Sequence, residues 1–331
     1  MAWQSILCRV SSPCLFGRSF LHRYSRCPNG PDPAKVAASA EAEKVGFVWV
    51  PPLSTEYIVG EVRDIAQLNG VEAKKTFGYW TKDGWRLHYG LSQPPRRFDR
   101  TNLWWPTFPL SACLAHLLLR LSSSPFPNAN PFPAALFDAL AGYHYLIHTI
   151  GVSARNIVVS GDSAGGHLAI SLVRYLATNQ IPGLPVPGAL LLLSPTTEWV
   201  VTHDGPDSSF RKNASTDYCA DLFRGYTKRS LLGKLPPEAA YTNAWISPAS
   251  LELSDVSGMF KGFPKTYIAA GDAEILFDAM RTFGKRLAED IGEDMVTFDA
   301  VRDGTHDCLA LELHEPQRTD TLKRIASWLE Q

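Results

Sequence analysis

Residues Gly161-Asp162-Ser163-Ala164-Gly165-Gly166 stand between an apolar run, Asn156-Ile157-Val158-Val159-Ser160, and a helix-compatible run from His167 to about Leu176. No other stretch constrains the fold as strongly. When a strand enters and a helix leaves a G-x-S-x-G segment, the chain must make a tight turn that lifts the serine oxygen out of the backbone. Glycine at 161 and 165 suits that turn, because strand and helix pass too close for a Cβ at either position. The helix N-terminus points free N–H groups and its positive dipole end toward Ser163. The N–H of Ala164 is therefore expected to hold a developing oxyanion.

What surrounds the turn repeats the strand-then-helix pattern. Residues 188–195 and Lys265 to Gly271 are short continuous apolar runs of the kind that buried parallel strands show. Residues 112–119 and Met295 to Val301 read as further strands. Pro133 to Ile150 has helical spacing, with Pro133 in a first turn and Gly151 at the stop, and Gln317 to Leu329 reads as a closing helix. This alternation from Leu114 onward predicts an α/β fold: a mostly parallel, doubly wound sheet with helices on both faces. Between Glu198 and Pro264 it gives way to polar and aromatic residues with short helical pieces around Tyr218 to Leu232. An excursion of that length just after the elbow is expected to be a cap, residues 198–264.

The N-terminal part is less regular. Residues 1–31 contain no acidic residue but carry Arg9, Arg18, Arg23 and Arg26 among serines, which reads either as a mitochondrial-type leader or as a disordered tail. The rest, 32–331, is expected to be a single domain, cytoplasmic, with mitochondrial as the alternative. A short amphipathic helix is expected from Asp32 to about Gly46, an extended segment over Gly46 to Val50, and a helix from Tyr57 to Leu68. From Gly78 to Leu110 there is no apolar period, and Pro94, Pro95, Pro106 and Pro109 interrupt any helix.

Several function classes are not indicated. A formal net charge of −1 with 20% charged residues calls for neither nucleic acid nor an anionic membrane surface. No run reaches the ~18 apolar residues that a membrane anchor needs. The six cysteines form no C-x-x-C pair, so neither a zinc site nor a disulfide framework is signalled. His144 and His148 have the i, i+4 spacing of helical metal ligands, but no glutamate lies between them and no third ligand suggests itself, so no metal is expected. Without a G-x-G-x-x-G or a P-loop, no nucleotide cofactor is expected either.

Four landmarks occur in order: Asn130-Pro131-Phe132-Pro133-Ala134-Ala135-Leu136 with Asp138, the elbow, Ala273-Glu274-Ile275-Leu276-Phe277-Asp278, and Asp303-Gly304-Thr305-His306-Asp307. Together they resemble the hormone-sensitive-lipase-like esterases of the α/β-hydrolase superfamily, the fungal members most closely, over residues 119 to 331 and more weakly over Phe47 to Trp80. The resemblance implies an ester-hydrolysing site with chain order serine, acid, histidine. Ser163 is then the nucleophile and His306, in a Gly-containing loop after the last strand, the general base. The residues alone leave the acid open among Asp272, Glu274 and Asp278. The resemblance favours Glu274, the first acidic position of the family's acid-x-Leu-x-Asp pattern, with Asp272 as runner-up and Asp278 as a structural partner.

The chain departs from the family in one respect. Those esterases carry a His-Gly-Gly loop whose N–H groups complete the oxyanion hole. This sequence has none, and His88-Tyr89-Gly90 lies too close to Leu119 to replace it. Two expectations follow: a serine carboxylesterase for small or medium acyl esters, or a catalytically impaired homologue kept as a binding protein.

Overall fold

The computed structural model describes residues 47–81, 84–86, 113–117, 130–221 and 226–331. The expected leader, the helix before residue 46 and most of the proline-rich stretch fall outside these. Strand β1 (Phe47–Val50), helix α1 (Gly60–Asn69), and strands β2 (Thr76–Thr81) and β3 (Gly84–Arg86) open the described chain. β1, β2 and β3 pair antiparallel, and β3 runs beside the next strand.

Five strands follow: β4 (Cys113–Leu117), β5 (Ile157–Asp162), β6 (Ala189–Leu193), β7 (Lys265–Gly271) and β8 (Val296–Val301). They pair side by side in chain order, every pair parallel. Helix α2 (Ala134–His144) precedes β5, α3 (Ser163–Asn179) follows it, α7 (Phe277–Ile291) joins β7 to β8, and α8 (Gln317–Leu329) closes the chain. Short helices α4 (Ser209–Lys212), α5 (Tyr226–Leu232) and α6 (Ala239–Thr242) occupy the long connection from β6 to β7.

The apolar runs form strands because both faces of the sheet are covered. On β6, Leu190 and Leu192 join the core cluster that contains Ile170 of α3 and Phe283 of α7. Ala189, Leu191 and Leu193 point the other way, into a cluster closed by Ile325 and Trp328 of α8. Complete burial of each such leucine contributes roughly 1.5–3 kcal/mol. Helix α7 shows the matching helical period, with Ala279, Phe283 and Leu287 buried on one stripe.

Several boundaries differ from the sequence expectation, and two of them have a visible physical cause. The helix expected to reach Ile150 ends at His144 and widens into a π-turn over Tyr145–Thr149, where the Ile150 N–H donates to the Tyr145 carbonyl at 3.1 Å. Apolar spacing continues through that turn, so periodicity alone cannot mark it. Helix α3 begins four residues before His167, at Ser163, because the elbow feeds the strand directly into its first turn.

Candidate active site

The C-terminal ends of β5, β6, β7 and β8 converge on Ser163. This residue has φ 51°, a left-handed conformation that a serine adopts only when its surroundings enforce it, at a cost of order 1–3 kcal/mol. The enforcement is visible. A Cβ on Gly161 would lie 2.2 Å from the Gly165 carbonyl oxygen, and one on Gly166 would lie 2.7 Å from Pro195 Cβ. Positions 161 and 166 are therefore tight, and Gly165 supplies the backbone that Gly161 must clear. The Ser163 carbonyl is tied down by the Thr196 N–H at 2.8 Å. Ala164 follows in the first turn of α3, where no residue of the helix can accept its N–H.

His306 lies in the loop after β8, and its Nε2 is 2.8 Å from Ser163 Oγ. On the other side, its Nδ1 is 2.8 Å from Oε2 of Glu274. Glu274 is completely buried. Its second oxygen, Oε1, accepts the Gly271 N–H at 2.7 Å and the Ser194 hydroxyl at 2.7 Å. With Nδ1–H directed to the carboxylate, Nε2 is the nitrogen left to receive a proton from Ser163.

The three acids that follow β7 have different partners. Asp272 Oδ1 accepts the Asp303 N–H at 2.7 Å, joining the β7 and β8 loops. Asp278 sits in the first turn of α7, where it accepts the Ser209 N–H at 2.7 Å while Ser209 Oγ receives the Asp278 N–H at 3.0 Å. Only Glu274 of the three reaches His306. Residues from the β6–β7 connection hold this loop: Asn213 donates to the carbonyls of Asp272 and Glu274, and Asp217 accepts the Ile275 N–H at 2.8 Å.

Three further residues, to which the sequence reading gave no role, contribute to the site. Ser194, also at positive φ, bonds Glu274 and accepts the Asp307 N–H at 3.2 Å. Its one clue was a polar residue at the carboxyl edge of a parallel strand, where ligand and reactive groups gather. Tyr218 donates its hydroxyl to the His306 carbonyl at 3.1 Å and sets its ring edge-on against the imidazole, while 40% of it remains exposed. Asp307 places Oδ2 3.6 Å from His306 Nε2.

Electrostatics around His306 are dominated by burial and by acids. Burial alone would lower its pKa. The Asp307 charge and the hydrogen bonds with Cys219 and Glu274 outweigh it and hold the imidazole well above its ordinary value. Cys219 and Cys308 are buried free thiols, and burial pushes them up to about 11 and about 12. The rings of His144 and His148 lie with centroids 4.4 Å apart, tilted by 37°, and no group of three or more metal-binding side chains occurs among the described residues. No helix of the described residues is long and apolar enough to cross a membrane.

Residues 127–310 match the family model described as alpha/beta hydrolase fold. All four sequence landmarks lie inside that span. The chain is similar to an acetyl-hydrolase of Streptomyces hygroscopicus, 30% identical over 47% of this chain and 46% of the relative. It is also similar to an esterase of Acinetobacter venetianus, 28% identical over 49% of this chain and 48% of that one. It thus spans about half the length of these relatives. A solved esterase/lipase from an uncultured bacterium shares the fold at a TM-score of 0.53, with 19% identity over 77% of this chain and 80% of that one.

Proposed function

Because the chain belongs to the alpha/beta hydrolase fold family, we propose that it is a serine carboxylesterase acting on small or medium acyl esters through an acyl-enzyme. One observation carries this reading: a single imidazole, His306, bonds Ser163 through one nitrogen and the buried Glu274 through the other. The names of the relatives, acetyl-hydrolase and esterase, support ester hydrolysis and a short acyl group.

In this mechanism His306 Nε2 takes the Ser163 proton as Oγ attacks the ester carbonyl carbon. Glu274 fixes the imidazole and balances the cation that forms. The resulting oxyanion is held by the Ala164 N–H at the positive end of α3. As the tetrahedral adduct collapses, His306 protonates the departing alcohol. Water then repeats the cycle in reverse, losing a proton to His306, attacking the acyl carbon and releasing a carboxylic acid and free Ser163. We take residues 198–264 as the cap that shapes the substrate pocket. The ester is a small soluble molecule, and the scheme uses neither metal nor cofactor.

A specific observation favours a second reading, a weakly active or inactive homologue that binds without turnover. The sequence has no His-Gly-Gly loop, and losing one oxyanion donor costs a hundred- to a thousandfold in rate, about 2.7–4 kcal/mol. Hydrolysis of p-nitrophenyl acetate and of longer acyl esters separates the two. The esterase reading expects turnover that Ser163→Ala reduces to background. Folded protein with no turnover on any of these esters favours the second reading.

A further inference from the structure

We propose that Asp307 is a positioning residue: its carboxylate holds a proton on His306 Nε2 in the resting site and so sets the pH above which Ser163 can be activated. This rests on reading Ser163, His306 and Glu274 as the triad.

A triad histidine needs one carboxylate, on the nitrogen away from the serine. Here each nitrogen faces one. Glu274 Oε2 is 2.8 Å from Nδ1, and Asp307 Oδ2 is 3.6 Å from Nε2, the nitrogen that also lies 2.8 Å from Ser163 Oγ. With Nδ1–H given to Glu274, a neutral ring turns only a lone pair toward Asp307, whereas the imidazolium sets its positive charge between both carboxylates; at 3.6 Å the contact with Asp307 is an ion pair and not a hydrogen bond. The second carboxylate therefore favours the protonated ring, which cannot take the Ser163 proton.

Backbone geometry keeps Asp307 there. It has φ 53°, its N–H is fixed to Ser194 Oγ, and Ser194 is itself at φ 45°. The buried Oδ1 of Asp307 has no hydrogen-bond partner among the described residues, so the imidazolium is its nearest compensation. Oδ1 itself is buried, so bulk water does not stand in for that partner.

The other groups facing this pair reinforce the effect. Asp162 comes from the elbow, Asp217, Tyr218 and Cys219 from the β6–β7 connection, Glu274 from the β7 loop, and Cys308 from the turn after His306. Every one is acidic or neutral. Burial pushes the Asp307 carboxyl up to about 7, His306 pulls it down, and Asp162, Glu274 and Asp217 push it up. Both groups are thus held above their ordinary values and share protons as a pair.

Opposite consequences follow on the two sides of that transition. Below it, His306 is already protonated and Ser163 stays inactive. Above it, the imidazole is a stronger base than an ordinary histidine, and proton abstraction is correspondingly faster.

Two measurements test this. The first is the imidazole NMR titration of His306 in wild type, Asp307→Asn, and both again in the Ser163→Ala background, which needs no turnover. The wild-type midpoint should lie above the ordinary value of about 6.5. Asp307→Asn should lower it by on the order of one to three pH units, the range for a close opposite charge. A wild-type midpoint at or below the ordinary value overturns the proposal, even if the variant does not fold. The second is the pH–rate profile: in Asp307→Asn the acid limb should move down by the same interval while the alkaline plateau falls severalfold. Ester hydrolysis with an unmoved limb and midpoint overturns the role of Asp307 and leaves the triad standing. A shifted midpoint in folded protein without hydrolysis supports Asp307 and overturns the esterase reading.

Discussion

Ser194 Oγ donates to Glu274 Oε1 at 2.7 Å, so a residue at the end of β6 fixes the carboxylate that faces His306. The same oxygen accepts the Asp307 N–H. Ser194→Ala removes one of the two donors on Oε1 and strands a backbone N–H. It should cost about 1.5–3 kcal/mol of stability, as for hydrogen bonds to charged groups, and about tenfold in kcat. Ser194→Gly, which accepts φ 45° without strain, should recover roughly 1 kcal/mol of stability but none of the rate. Urea unfolding and steady-state kinetics on the two variants measure both effects, and wild-type kcat in Ser194→Ala would contradict this role.

The choice of acid predicts a sharp asymmetry between neighbours two residues apart. Glu274→Gln keeps shape but offers His306 Nδ1 an uncharged partner, and kcat should fall by about three to four orders of magnitude. Asp272→Asn weakens only the bond to the Asp303 N–H and should cost less than about tenfold. Equal losses in the two variants would show that loop geometry, not the orienting charge, limits the rate.

The elbow predicts a steric failure. An alanine methyl at 161 would meet the Gly165 oxygen at 2.2 Å, the Gly165 carbon at 2.4 Å and the Gly166 nitrogen at 2.7 Å, all of them backbone. Nothing flexible can move aside. Gly161→Ala should lose more than about 4 kcal/mol or fail to accumulate as folded protein. A thermal unfolding midpoint within a few degrees of wild type would show that the turn is looser than described.

Acid sensitivity should come in part from His167. It is buried, with Nε2 3.0 Å from the Trp245 carbonyl, and burial lowers its pKa to about 4. Because the folded value lies below the unfolded value of about 6.5, the unfolded chain binds the extra proton first as pH falls. The neutral ring's contribution is complete above the unfolded value and is lost progressively between there and about 4, on the order of 3 kcal/mol in all. Denaturant titrations at a series of pH values should show this slope, and His167→Asn should flatten it. An unchanged slope in the variant would assign the acid sensitivity elsewhere.

How much of this was legible beforehand depended on the physics behind each feature. Strands β5 to β8 were readable because burial on both faces demands uninterrupted apolar runs such as Ala189–Leu193. The elbow was readable because contacts as close as that of Gly161 with Gly165 leave glycine as the one solution. His306 followed from chain order and its position after β8. The acid was not readable from the residues alone, since Asp272, Glu274 and Asp278 lie within about two helical turns of sequence after β7 and only the Asp303 and Ser209 N–H groups show where two of them are engaged. Ser194, Asp217 and Tyr218 act across dozens of residues with no periodic pattern. The π-turn after His144 keeps the apolar spacing of an ordinary helix.

Ser163 is proposed to be a nucleophile that His306 activates. A fluorophosphonate ester tests it without any choice of substrate, because it phosphonylates an activated serine and leaves ordinary ones untouched. Intact-mass and peptide-mapping analysis of the treated protein should show one adduct, on Ser163, abolished in Ser163→Ala and strongly slowed in Glu274→Gln. Folded wild-type protein that takes up no adduct, or takes it up at another residue, would contradict the account.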